Sequence, residues 1–352
     1  MPALRLPRFR MPSRTPTWGA ALVAVFGCAL PLSLGLLSNH PGFLWAALGA
    51  FQAARANPLH RSGMLRMMLL IGLGACSSGL GFWAAESWLA SLLLFAFCGL
   101  LLAWLQRFGN EAGKLGLGIC ICLCLGQGYQ ATAELPNPLA VAALFGVGGL
   151  WVALLAFFLR GVHGLRTWPH LPHLRHLLKA LRRHARRLPR DRWRLHALSC
   201  TLSFALAGGL AKLLAGHQGH WLTLTVLGTL YLQSRVSRQR LVQVCSSSLA
   251  LSALLALIGH SLPSSAAMVA LVLALILIGR ALQANRYRAF MLQNIGISLL
   301  LAEALALDWL HLEPRLLAAL YGFGLALLPG LLFQALFAHR LQKSDPARQA
   351  GS

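Results

Sequence analysis

Between Trp18 and Ala338 the chain divides into about twelve apolar stretches, most of them near the roughly 20 residues that a helix needs to cross the hydrocarbon core of a bilayer. Few folds accept such a pattern. With 57% hydrophobic and 11% charged residues there is too little polar surface for an ordinary soluble domain, and the chain reads as an integral membrane protein. The stretches cover residues 18–37, 43–54, 64–85, 88–106, 113–130 and 138–158 in the first half. In the second half they cover 198–216, 221–233, 241–260, 266–282, 287–307 and 316–338. Arg5, Arg8, Arg10 and Arg14, set among prolines, precede the first stretch, which has no small-residue cleavage site and reads as a retained helix.

The net charge of +23 would suit a nucleic-acid partner if it formed a patch, but its placement follows the membrane. Loops with Arg55, Arg61 and Arg66, with Arg107 and Lys114, with Arg235, Arg238 and Arg240, and with Arg280, Arg286 and Arg288 all fall on one side of the threading. Lys212 and Arg315 fall towards the other, where Glu86, Glu134, Asp308 and Glu313 also lie. Cytoplasmic loops retain Lys and Arg, so the expected architecture is all-α and polytopic, with about 12 transmembrane helices and both termini cytoplasmic. Nucleic acid is not an expected partner.

Two short stretches organise this reading. HQGHWLTLTVLGTLYLQSRVSRQR, residues 217–240, and NHPGFLWAALGAFQAARANPLHRSGMLR, residues 39–66, each join a Gly- and His-containing turn, a Trp, a short apolar run, a Gln and a basic loop. They stand at corresponding places in two six-helix repeats: residues 1–160, and 196–352 after a basic linker at 161–195. Paired short segments point to the substrate site of a transporter built from repeats. They are read either as broken half-helices or as full helices extended by residues 38–42 and 217–220. The linker carries leucines on one helical stripe and arginines on the other, the pattern of a helix lying on the anionic inner leaflet.

The quoted second-half stretch, through residue 259, resembles the signature of the fusaric acid resistance family, as do GFLWAALGAFQAA, GGLWVALLAFFLR and RLLAALYG. The resemblance spans residues 18–340. It implies a proton-driven exporter of small organic anions such as aromatic carboxylic acids in the inner membrane, and it allows a periplasmic adaptor beside a homo-oligomer. The chain departs from the family pattern at residues 244–248, where a Gly-Thr and a further Gly are usual, and in lacking a large soluble domain.

Ionisable groups inside spans are costly and point to function. Lys212 and Glu303 stand at similar depth in their spans: Lys212 is expected to attract a substrate carboxylate, or else to snorkel to the interface, and Glu303 to carry the coupling proton or to bond a neighbour. Further substrate-contacting candidates are Trp45, Gln52, Trp221, Gln233, Gln293 and Asn294, with Trp221 open to an interfacial-anchor role. Arg235, Arg238 and Arg240 set topology or guide anions. No catalytic residue, metal site or cofactor is expected: the cysteines lie in apolar spans, Pro172 interrupts the spacing of His170, His173 and His176, and no GxxxxGK loop occurs. Alternative functions are a passive anion channel, a lipid-acting enzyme using His217, His220, Asp308 and His311, and a structural subunit.

Overall fold

The computed structural model describes residues 18–38, 40–56, 61–128, 137–166, 190–213, 219–233, 265–282 and 312–336. Among them are ten helices and no strand: α1 (Trp18–Ser38), α2 (Pro41–Ala54), α3 (Arg61–Ala84), α4 (Trp88–Arg107), α5 (Asn110–Gly128), α6 (Pro138–Arg166), α7 (Arg190–Leu213), α8 (Gly219–Gln233), α9 (Ser265–Leu282) and α10 (Leu312–Leu336). Four of these contain stretches long and apolar enough to cross a membrane, Trp18–Gly35, Gly63–Ala84, Trp88–Arg107 and Pro138–Leu159. The protein is a helical membrane protein.

Its surface shows why. Leu22, Phe26, Leu30, Leu34 and Leu37 form an exposed stripe on α1, and Leu89, Leu93, Phe97, Leu100 and Trp104 form one on α4. Spacings of three and four residues put each set on one helical face. The faces turned inward carry small or weakly polar residues, Ala21, Ala24 and Cys28 on α1, and Ser91, Cys98 and Ala103 on α4, interspersed with larger ones such as Leu32 and Phe95. In lipid, apolar bulk outside costs nothing, and small residues inside let helix backbones approach.

Close approaches follow. A Cβ on Gly49 of α2 would overlap the Phe145 carbonyl of α6, and one on Gly148 of α6 would overlap the Ala46 carbonyl of α2. Gly81 of α3 meets the Leu123 carbonyl of α5, Gly126 of α5 meets that of Ser78, and Gly99 of α4 lies against the Cys200 carbonyl of α7. The packing pairs are α1 with α2, α6 and α9; α2 with α3 and α6; α3 with α4, α5 and α6; α4 with α5 and α7; α5 with α8; α7 with α8 and α10; and α8 with α10.

Two of these pairs, α4·α7 and α3·α6, run antiparallel. The end of α4 meets the start of α7, where the Arg107 guanidinium lies 4.8 Å above the Trp193 ring and His196 Nε2 is 2.7 Å from Gln106 Oε1. The end of α3 meets the start of α6, with Gly79 against the Pro138 carbonyl. Arg55, Arg61, Arg66, Arg107, Lys114, Arg166, Arg190 and Arg194 therefore gather at one end of the bundle, and Lys212 stands at the other. Trp18 and Trp104 are exposed at the basic end and Trp83 and Trp88 at the opposite end. Trp88 and Trp104 are about 24 Å apart along α4, the spacing of two interfacial aromatic belts.

α6 runs to Arg166 and α7 begins at Arg190, so both helices extend into the expected basic linker. The rest of that linker, including the three-histidine run, lies outside the described residues. Replacing Gly148 with Ala should lower stability by about 1–3 kcal/mol, because a backbone carbonyl cannot step aside. Gly72→Ala, which meets nothing within 4 Å, should change it by less than about 0.5 kcal/mol. Thermal unfolding in detergent measures both.

Candidate functional site

α2 and α8 are the short helices, 14 and 15 residues long, and each is continuous. A rise of 1.5 Å per residue makes them about 21–22 Å long, too short to span a bilayer core of about 30 Å while facing lipid. Neither faces it. From Leu44 to Ala54 every residue of α2 is buried, and α8 is buried or half-buried from Gly219 to Tyr231. Enclosed by longer helices, such elements have no need to match the hydrocarbon thickness, and they can carry polar groups that a lipid-facing helix cannot.

Local sequence explains how each begins. His40 caps α2 by accepting the Gly42 N–H at Nδ1, 3.1 Å away, and Pro41 fits the first turn, where its missing N–H goes unmissed. α8 starts beside α5: His220 is buried, its ring 4.8 Å from that of Trp221, and a Cβ on Gly128 would overlap its Cβ. The threonines of α8 are satisfied within the helix, Thr223 donating to the His220 carbonyl (3.1 Å), Thr225 to that of Trp221 (2.8 Å) and Thr229 to that of Thr225 (2.8 Å). Such back-bonding lets a hydroxyl sit in a dry interior.

α2 differs. Trp45 and Gln52, seven residues apart, lie on one face of the helix and are both wholly buried. Gln52 Oε1 accepts a hydrogen bond from Arg55 Nη1 at 2.8 Å, and its Nε2 is buried with no hydrogen-bond partner among the described residues. Arg55, in the turn that ends α2, is half-buried.

A second polar knot joins α4, α5 and α7. Ser91 Oγ donates to the Gly208 carbonyl at 2.9 Å; Gln127 Nε2 donates to the same carbonyl at 2.9 Å and to Ser91 Oγ. One turn further along α7, Lys212 is exposed and its Nζ donates to the Ala85 carbonyl in the turn between α3 and α4. Its charge there faces the C-terminal end of α3, where a cation is favoured.

Of the residues expected to form the site, Trp45, Gln52 and Trp221 lie in the two enclosed helices, Gln233 ends α8, and Lys212 stands apart at the non-basic end. Gln293, Asn294, Glu303, Arg235, Arg238 and Arg240 lie outside the described residues, as do His217, Asp308 and His311. The part played by Ser91 and Gly208 was not visible in the chain, since a serine and a glycine in separate spans carry no pairing signal. Arg55 reads in the sequence only as a charge of the basic loop; the Gln-x-x-Arg spacing, which places it one turn beyond Gln52, is the signal that could have found it. No group of three or more His, Cys, Asp or Glu able to hold a metal occurs among the described residues.

No protein-family model, curated protein or solved structure matches the chain.

Replacing Gln127 with Leu should cost about 1 kcal/mol, the scale of an interhelical hydrogen bond in a membrane protein. Ser203, whose hydroxyl is buried with no hydrogen-bond partner among the described residues, should tolerate Ala with no loss. Unfolding midpoints of the two variants in the same detergent check the contrast.

Proposed function

We propose that this protein is a secondary transporter of the inner membrane that exports small organic anions, aromatic carboxylic acids among them, at the expense of the proton gradient. One observation carries the reading: two short, lipid-shielded helices at corresponding places in the chain bring buried Trp45, Gln52, His220 and Trp221 into the interior of the bundle. A purely structural bundle gains little by enclosing helices that fail to span, whereas a solute path through the bilayer needs polar groups away from lipid.

The packing supports duplication. In a chain of two six-helix repeats, α1 to α6 are the first six spans, and α7, α8, α9 and α10 are the seventh, eighth, tenth and twelfth. The pair α1·α2 then corresponds to α7·α8, α2·α6 to α8·α10, α1·α6 to α7·α10, and α4·α7 to α9·α1; all eight pairs are in contact. Ala142-Ala143-Leu144-Phe145-Gly146-Val147-Gly148 of α6 also matches Ala318-Ala319-Leu320-Tyr321-Gly322-Phe323-Gly324 of α10. An even number of spans per repeat relates the halves by an axis along the membrane normal. The basic end of the bundle faces the cytoplasm, with both termini and the linker at 161–195. The likeness to the fusaric acid resistance family rests on the stretches quoted above and supports the choice of anionic cargo; a periplasmic adaptor and a homo-oligomer fit this reading.

Lys212 at the outer end and Glu303, the coupling group in this scheme, complete the proposal. In vesicles, the purified protein should move benzoate against its gradient when a pH difference is imposed, and Glu303→Gln should abolish that coupling while leaving the protein folded. Benzoate flux that follows the electrochemical gradient of the anion and moves no protons would identify a channel instead. Unchanged solute flux together with altered lipid composition in cells lacking the protein would identify an enzyme.

A further inference from the structure

We propose that Gln52 and Arg55, at the basic end of α2, form a binding site for the carboxylate of a small organic anion. The cargo class rests on the transporter reading; the site stands on its own geometry. Gln52 is 0% exposed, and its amide is oriented by Arg55, whose Nη1 donates to Oε1 at 2.8 Å. An amide held at its oxygen by a guanidinium can only offer its nitrogen, a pair of donors, to whatever comes next. That nitrogen is buried with no acceptor among the described residues, and a buried donor left unmade is costly. What defines the site is this amide: a ligand that presents an acceptor is required, and the adjacent cation selects a negative one.

A glutamine and an arginine one turn apart at an exposed helix end would be only a cap, with the arginine drawn to the terminal carbonyls. Here the arginine bonds a wholly buried side chain, so its Nη1 is drawn towards the interior and away from the terminal carbonyls. The helix beneath is fixed, since Gly49 and Gly148 bring α2 and α6 to backbone contact. A carboxylate that placed one oxygen on Gln52 Nε2 and the other on the guanidinium would meet preset donors, which limits the ordering cost of binding. Arg55 stands half-exposed at the basic end, so the anion enters from that side.

The test is calorimetric titration of the full-length protein in detergent with benzoate, and with benzyl alcohol as its uncharged counterpart. Benzoate should bind at least tenfold more tightly than benzyl alcohol. Arg55→Gln and Gln52→Leu should each weaken benzoate about tenfold or more, as expected for a charge-assisted hydrogen bond, and Arg55→Lys should weaken it less. Gln52→Leu exchanges the amide for an apolar side chain of similar size and relieves the unmade donor, so it should fold. Benzoate affinity within twofold of the parent protein in either variant, no benzoate binding to the parent, or equal binding of benzyl alcohol would each overturn the site. The last two readings need no variant at all. Binding that depends on Gln52 and Arg55 without proton-coupled flux would leave the site standing and remove the transporter; coupled flux with binding indifferent to both residues would do the reverse.

Discussion

Hydrocarbon accepts no hydrogen bonds, and every level of this structure answers to that fact. Backbone groups close their bonds within helices, many bulky apolar side chains turn outward, and the interior mixes alanine, glycine, cysteine, serine and threonine with large side chains such as Trp45, Phe95 and Phe204. Outside, the distribution departs from a soluble protein's. Large residues such as Phe97 and Leu93 are exposed, while Gln52 and Ser91 are wholly buried. Because lipid does not drive helices together as water does, cohesion comes from backbone contact at Gly49, Gly99, Gly126 and Gly148 and from a few hydrogen bonds between helices.

The seam between α4 and α7 shows these forces acting in series. At the basic end Arg107 lies over Trp193, whose Nε1 donates to the Ala103 carbonyl at 3.4 Å. At its middle Gly99 meets the Cys200 backbone and the rings of Phe95 and Phe204 lie 4.9 Å apart. Towards the far end Ser91, Gln127 and Lys212 add hydrogen bonds. One helix from each half of the chain is thereby fastened along its whole length. The enclosed helices α2 and α8 are held within this frame, by glycine contacts in one case and by back-bonded threonines and the packing of His220 in the other.

Much of the helix order was legible before any tertiary information, because a run of about 20 apolar residues has one stable state in a bilayer. The starts of α4 and α6 at Trp88 and Pro138 and the end of α4 at Arg107 follow their apolar runs, whereas α6 continues past residue 158 to Arg166; the shortness of α2 and α8 is plain from their runs. Less legible was the meaning of the polar residues. Lys212 and Gln127 have similar depth in their spans, yet one bonds a loop carbonyl at the surface and the other bonds Ser91 and Gly208 between helices. A span's face is not readable when leucine and alanine suit lipid and interior alike.

By itself the sequence determined the environment, the helices and the separation of charge, because the cost of placing a charged or an apolar side chain in lipid or water is a local property of that residue. Only the tertiary structure decided which helices are shielded from lipid and which polar atoms meet. Those outcomes depend on close backbone approach between segments tens of residues apart, such as Gly49 with Phe145, and no periodicity within one segment records its neighbour.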